Sequence, residues 1–409
     1  MWVRCLRVVA WVMLIWACIP ALSARAQYFD LEPYRKKSVL HFKIVRNLVV
    51  ISLRINQTGP YNFILDTGVG LMVITDPSML QSIHPQFYRT LKMAGIDGKD
   101  LYEAKIVPSL DVEIPGFVAH EVGAAILTED HFGLSNYTGI PIHGLLGYEF
   151  FTRLAVKINF ADSTLTACAP ERLKGLKKYT VMPITIERNK PYLIAPIHFN
   201  DGSTRQCKLI ADLGSGQALI FNGLKKRIWP FNSTIPANLG IGLTGIIEGR
   251  MGRIDAISLG KYRLESVLSS IPDTTAYTFS ETEFDGNIGM NILKKFTVIF
   301  DYTNEKVYFK HRSTLKEPFE HDMTGMEYYA SGNDLKHIII SRVEPGSPAE
   351  KASLRSGDEL TAINFKPVAK MSLEEIDELF RSRDGRNLIL EVQNQNKYEN
   401  VIITLKRRI

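Results

Sequence analysis

The sequence predicts a mainly β chain, built from two copies of one unit and followed by a smaller α+β unit. Three observations carry this. Residues 61–74 (YNFILDTGVGLMVI) and 207–221 (CKLIADLGSGQALIF) share one plan: an apolar strand, Asp-x-Gly-x-Gly, then apolar residues again. After each Asp a second matched segment follows, GLLGYEFFTRLAVKINFADSTLTA over 144–167 and GNIGMNILKKFTVIFDYTNEKVYF over 286–309. Beyond 318 the pattern changes to short strands alternating with capped helical turns.

The chain opens with an export signal. Arg4 and Arg7 precede an apolar run, Val8 to Leu22, and Ala24-Arg25-Ala26 fits a small-x-small cleavage site. Residues 1–26 are therefore read as a signal peptide, with Gln27 starting the mature chain. The run is too short to span a bilayer comfortably. The expected location is secreted or periplasmic. Trp16 fits poorly into a lipoprotein site at Ile15-Trp16-Ala17-Cys18, so membrane association is expected only if Cys18 is lipidated.

Cleavage removes Cys5 and Cys18 and leaves Cys168 and Cys207, which form either one bridge or two thiols. The precursor's net charge is +6, and loss of three arginines with the signal brings it to +3. Basic and acidic residues are interspersed, which excludes a nucleic-acid footprint.

In the first copy, Leu48–Ile55 reads as a strand, 56–60 as a turn and Tyr61–Leu65 as the return. The second copy repeats this with Leu193–Phe199, the turn Asn200-Asp201-Gly202, and Gln206–Ala211. Asp66 and Asp212 are 146 residues apart, while Gly147 and Gly289 are 142 apart, as are Val156 and Val298. The copies thus differ by one loop-sized change. Pro170–Lys178 reads as the linker, and composition shifts again near 312–320, giving units at 37–170, 179–312 and 318–409. Residues 27–39 read as an N-terminal strand and arm, with a short pro-segment as the alternative. Sequons stand at Asn56, Asn136 and Asn232.

Two carboxylates, one from each copy, suit hydrolysis of peptide bonds. One deprotonates water while the other, protonated, donates to the carbonyl oxygen. Held at hydrogen-bond distance they share one proton, because both cannot ionise together. Gly68 and Gly214 let each loop turn and bring backbone N–H groups to its Asp. No metal-ligand spacing and no Gly-x-Ser-x-Gly elbow appears, so no metal or other cofactor is expected.

On these residues the region 37–312 resembles the bilobal, retropepsin-like aspartic peptidases, closest to exported bacterial types with a C-terminal PDZ domain. The resemblance implies two β-barrel lobes around a cleft, with catalytic Asp66 and Asp212 at its floor. It implies apolar-apolar-Gly loops packed beneath each Asp, and flap hairpins at 95–99 (with Gly98) and 240–249 (with Gly245). It also implies that Thr67 and its counterpart tie the two loops together across the dyad. The counterpart is Leu213, which lacks the hydroxyl. Ser215 is the substitute expected to bond the outer oxygen of Asp212; Val69 stands at that place in lobe one.

Residues 318–409 resemble a PDZ domain through 343–352 (VEPGSPAEKA) and 354–358 (LRSGD), with Ser353 where such domains usually carry Gly. Ser372 and Glu375 form a capping box. The resemblance places a carboxylate-binding loop at 324–328, including Gly325, and a side-chain pocket of Met326, Tyr328, Ile376 and Phe380. Ile376 and Phe380 read equally well as core. The expected partners are a polypeptide substrate and peptide C-termini. The expected activity is an aspartic endopeptidase; the alternative is an inactive or weakened peptide-binding protein on the same fold.

Overall fold

The computed structural model describes residues 28–94, 101–222, 231–242, 245–273, 284–394 and 397–409. The expected signal segment with Cys18, and Gly98, lie outside them.

Each copy of the repeat closes into a six-stranded barrel. In lobe one the ring runs Leu48–Ile55, Thr58–Leu65, Gly144–Leu146, Met72–Ile74, Phe117–Leu127 and Leu101–Ile114, which pairs back to Leu48–Ile55. In lobe two it runs Lys190–His198, Thr204–Ala211, Gly286–Ile288, Leu219–Phe221, Tyr262–Pro272 and Gly245–Leu259, which pairs back to Lys190–His198. Closure removes the free edges that open sheets must protect. Alternating burial, such as that of Leu53 and Ile55 around exposed Arg54, fills each barrel with side chains.

A six-stranded sheet joins the lobes. Lobe one supplies Lys37–His41, Thr164–Cys168 and Ala155–Asn159; lobe two supplies Phe296–Asp301, Lys306–His311 and Thr180–Pro183. At the junction Val156 pairs with Phe300, Ile158 with Val298, and Lys157 with Ile299. Since equivalent residues differ by 142, this is the exchange that a two-fold axis through the Lys157–Ile299 pair requires. Residues 28–36 also pack on lobe one: Phe29 is fully buried and Asp30–Leu31 pairs with 117–118.

The turn expected over 56–60 is tighter. Strand resumes at Thr58, and only Asn56 and Gln57 turn, both at positive φ. Asn56 fits that conformation and fixes it: its side chain donates to Ile83 C=O (2.8 Å) and accepts from Asp111 N–H (3.0 Å). Cys168 and Cys207 are both free thiols, and burial pushes Cys207 up to about 12.

The C-terminal unit is a separate core around Met323, Ile340, Leu360, Ile376, Leu390 and Ile403. Its sheet runs Met326–Ser331, His337–Val343, Glu359–Ile363, Asn387–Asn394, Lys397–Thr404. The first strand is thus an edge. The capping box at Ser372 and Glu375 forms as read. After the helix Pro348–Lys351, Ser353 sits at φ +61, donating to Glu350 C=O while Leu354 donates to Ala349 C=O. That is a Schellman ending with Ser where glycine is unstrained. Ser353→Gly is therefore expected to raise stability by about 1 kcal/mol in urea unfolding; a loss of stability contradicts this.

Candidate active site

The two Asp loops are built alike. Leu146 C=O accepts from Asp66 N–H and Ile288 C=O from Asp212 N–H, both at 2.8 Å. The short strands Gly144–Leu146 and Gly286–Ile288 run parallel to the Asp strands and fix where those strands end. Each Asp then accepts from the N–H two residues on: Gly68 to Asp66 Oδ1 at 2.7 Å, Gly214 to Asp212 Oδ1 at 2.9 Å.

The loops also cross. A Cβ on Gly68 would lie 2.8 Å from Asp212 Oδ1, and one on Gly214 only 2.1 Å from Asp66 Cγ. No side chain fits at Gly214. The glycine of each lobe is where the opposite lobe's carboxylate rests, which brings the two carboxyls together.

Thr67 holds this crossing. It is fully buried; its hydroxyl donates to Ala211 C=O at 2.6 Å and accepts from Leu213 N–H at 2.9 Å. Leu213, its counterpart, is fully buried in the shared apolar core. The tie is therefore one-sided: lobe one supplies the hydroxyl, and lobe two answers with backbone and packing.

Ser215 does not take the expected role. Its buried Oγ finds no partner among the described residues and sits against Gly289 instead. The outer oxygen of Asp212 accepts from Asn287 Nδ2 at 2.6 Å. Asn287 stands where lobe one has Leu145. That polar residue inside an otherwise apolar Gly-x-x-Gly segment was the available signal, and the sequence reading passed over it.

A second missed repeat braces the loops. Arg46-Asn47 and Arg188-Asn189 are two-residue turns at positive φ, spaced by the same 142 residues as the glycine loops. Asn47 Nδ2 donates to Gly216 C=O (3.3 Å), and Asn189 Nδ2 to Gly70 C=O (2.9 Å). Each lobe thus pins the other's Asp loop from behind. Lys190, just after the second turn, puts positive charge near both carboxyls.

The electrostatics follow from burial. Desolvation first, then the neighbouring Asp212 charge, push Asp66 up to about 8, against the Gly68 N–H and Lys190. Burial also raises Asp212, opposed by the donations from Asn287 and Gly214. Asp212 has two such donors and Asp66 one. The pair therefore carries its negative charge on Asp212 and the shared proton on Asp66.

Gly245 opens the return strand of a hairpin, Thr234–Gly242 with Gly245–Leu259, and pairs with Gly242. In the C-terminal unit, Met326, Tyr328, Ile376 and Phe380 are buried in the core, with the rings of Tyr328 and Phe380 edge-to-face at 5.6 Å. Gly325 sits at φ +77, as a tight loop needs. Three of the loop's donors are already engaged: Asp322 accepts from Thr324 N–H (3.2 Å) and Gly325 N–H (2.6 Å), and Thr324 Oγ1 from Met326 N–H (3.0 Å). An internal carboxylate occupies the place expected for a peptide's own.

The family model described as aspartyl protease matches residues 51–150, and that described as PDZ domain matches 339–394. The chain carries a retropepsin-like aspartyl protease domain together with a PDZ domain. No curated protein matches it. Among solved structures it is similar to a photosystem II D1 C-terminal processing protease, with 20% identity over 22% of this chain and 24% of that one and a TM-score of 0.21. It is similar to a PDZ domain protein from Parabacteroides distasonis, with 26% identity over 21% and 20% and a TM-score of 0.19. It is also similar to the HtrA3 PDZ domain bound to a phage-derived ligand, with 20% identity over 21% and 86% and a TM-score of 0.19. The chain spans about a quarter or less of the first two.

Two outcomes follow. Thr67→Val leaves a buried carbonyl and a buried N–H unpaired, and should cost about 1–3 kcal/mol in urea unfolding; no change contradicts the tie. A carboxyl raised on folding contributes stability that is complete below its unfolded pKa, about 4, and is lost as pH rises towards about 8. Stability should therefore fall between these values in the wild type and fall much less in Asp66→Asn. Equal slopes contradict a raised Asp66.

Proposed function

We propose that this protein is an exported aspartic endopeptidase, with its PDZ unit reading polypeptide. The observation that carries the proposal is the buried, crossed pair Asp66–Asp212, one carboxyl from each lobe. Asp212, the better solvated by N–H donors, takes a proton from water as the water oxygen attacks the peptide carbonyl carbon. Asp66 gives its proton to the carbonyl oxygen, forming a tetrahedral diol. Collapse returns a proton to the amide nitrogen, and the C–N bond breaks. The two carboxyls need no cofactor for these steps.

The substrate is polypeptide, and export through the N-terminal signal places it in the periplasm or outside the cell. For the PDZ unit, an extended segment laid along the edge strand Met326–Ser331 fits better than a free C-terminus, because Asp322 already engages the loop amides. The alternative reading, a peptidase-like binder without turnover, draws on the missing second hydroxyl at Leu213 and the idle Ser215.

The test is turnover of a denatured protein substrate. Asp66→Asn and Asp212→Asn should each lower cleavage by about 1,000-fold, the order of one lost acid–base group, while each still folds. Wild-type turnover in either variant rejects the two-carboxylate mechanism, and no cleavage by the wild type supports the binder. Activity should decline above about pH 8, where Asp66 loses the shared proton, and should resist chelators. A rate still rising above that pH contradicts the assignment.

A further inference from the structure

The groove of the PDZ unit is filled by lobe one. The edge strand Met326–Ser331 pairs on one side only, with His337–Val343. On its other side Arg46 Nη1 donates to Tyr328 C=O (3.1 Å) and Asn136 Nδ2 to Ala330 C=O (2.8 Å). Carbonyls two residues apart point to the same edge, so these are successive acceptors that an added peptide strand would use.

Across the groove, Arg46 Nε and Nη2 donate at 3.1 Å to the two oxygens of Asp377, on the helix Leu373–Phe380. The guanidinium lies 4.8 Å from the Tyr328 ring centre and 4.7 Å from that of Tyr137. Its side chain is 11% exposed, and that of Asp377 10%. Tyr328 Oη also donates to Asp377, and Arg381 pairs with it at 3.0 Å. Gly139, after the helix Leu134–Thr138, sits against Leu373 and Ala330. Arg188, the counterpart of Arg46 in lobe two, is exposed. One turn type thus leaves one guanidinium at the surface and puts the other in the PDZ groove.

We propose that this groove is closed in cis by Arg46 and the Leu134–Thr138 helix, and that its external ligand is an extended polypeptide segment that presents an arginine to Asp377 and evicts Arg46. This rests on the reading of the unit as a polypeptide binder. A planar, bidentate carboxylate site beside an aromatic face selects guanidinium over ammonium. The ligand needs no free C-terminus, since Asp322 supplies that carboxylate. Eviction reaches the dyad through the neighbouring residue: Asn47 holds Gly216 C=O, Asn291 and Lys294 behind the Asp212 loop. The PDZ unit also touches the lobe-two hairpin, through Asn238 with Glu327 and Glu248 with Arg342.

The test uses the full chain as wild type, Arg46→Gln and Asn136→Ala. The probe is a fluorescein-labelled pool of random octapeptides with a fixed central arginine, made with free and amidated ends, and a matched pool with citrulline. Arg46→Gln should bind the arginine pool at least ten-fold tighter than wild type. It should bind amidated and free pools alike and show no such gain with citrulline. Hydrogen exchange at 326–331 and 373–380 should quicken in Arg46→Gln and, less strongly, in Asn136→Ala. Unchanged exchange in both variants overturns the closed groove. Tighter binding that ignores citrulline overturns the arginine assignment. Faster exchange with no peptide bound by any variant upholds the closure and rejects the unit as a polypeptide binder.

Discussion

Two carboxylates cannot be buried side by side as two charges. The cost of desolvating both, added to their repulsion, far exceeds what a fold of marginal stability can bear. One proton shared between them removes that conflict and yields a base and an acid at one place. The rest of the site serves to keep the pair close. Glycine at 68 and 214 makes room for the opposite carboxylate, and Thr67 ties the loops through backbone groups of lobe two.

The lobes share one barrel plan in the backbone and differ in the side chains at the dyad. The interlobe sheet pairs residues as a two-fold axis demands, and the Arg-Asn turns exchange their braces in the same way. At the dyad, Leu213 stands where lobe one has Thr67, and Asn287 where lobe one has Leu145. The second difference acts on chemistry: Asn287 favours charge on Asp212, and among the described residues no side-chain amide donates likewise to Asp66. A duplicated fold has become a site with two distinct roles.

Much of this was legible in the sequence because repetition is visible there. Asp66, Asp212 and their glycines stand at matched places, and the strand Leu48–Ile55 was read to the residue. Side-chain direction was not legible. Ser215 has the right chemistry and faces away, while Asn287, from a segment distant in sequence, arrives through a parallel strand pairing. Arg46 carries no motif, and only the docking of the third unit gives it Asp377 as a partner. The loop at 324–328 reads as a carboxylate site because sequence does not reveal that Asp322 folds back onto its first amides.

The central claim is one proton held by a buried pair, and carboxyl 13C NMR titration of Asp-labelled protein tests it most directly. The account predicts one carboxyl, that of Asp66, titrating near 8, with a second, linked step at lower pH from Asp212. Replacing either residue by Asn should remove one step and move the other. Two independent titrations near the ordinary value of about 4, unmoved by either substitution, would contradict the account.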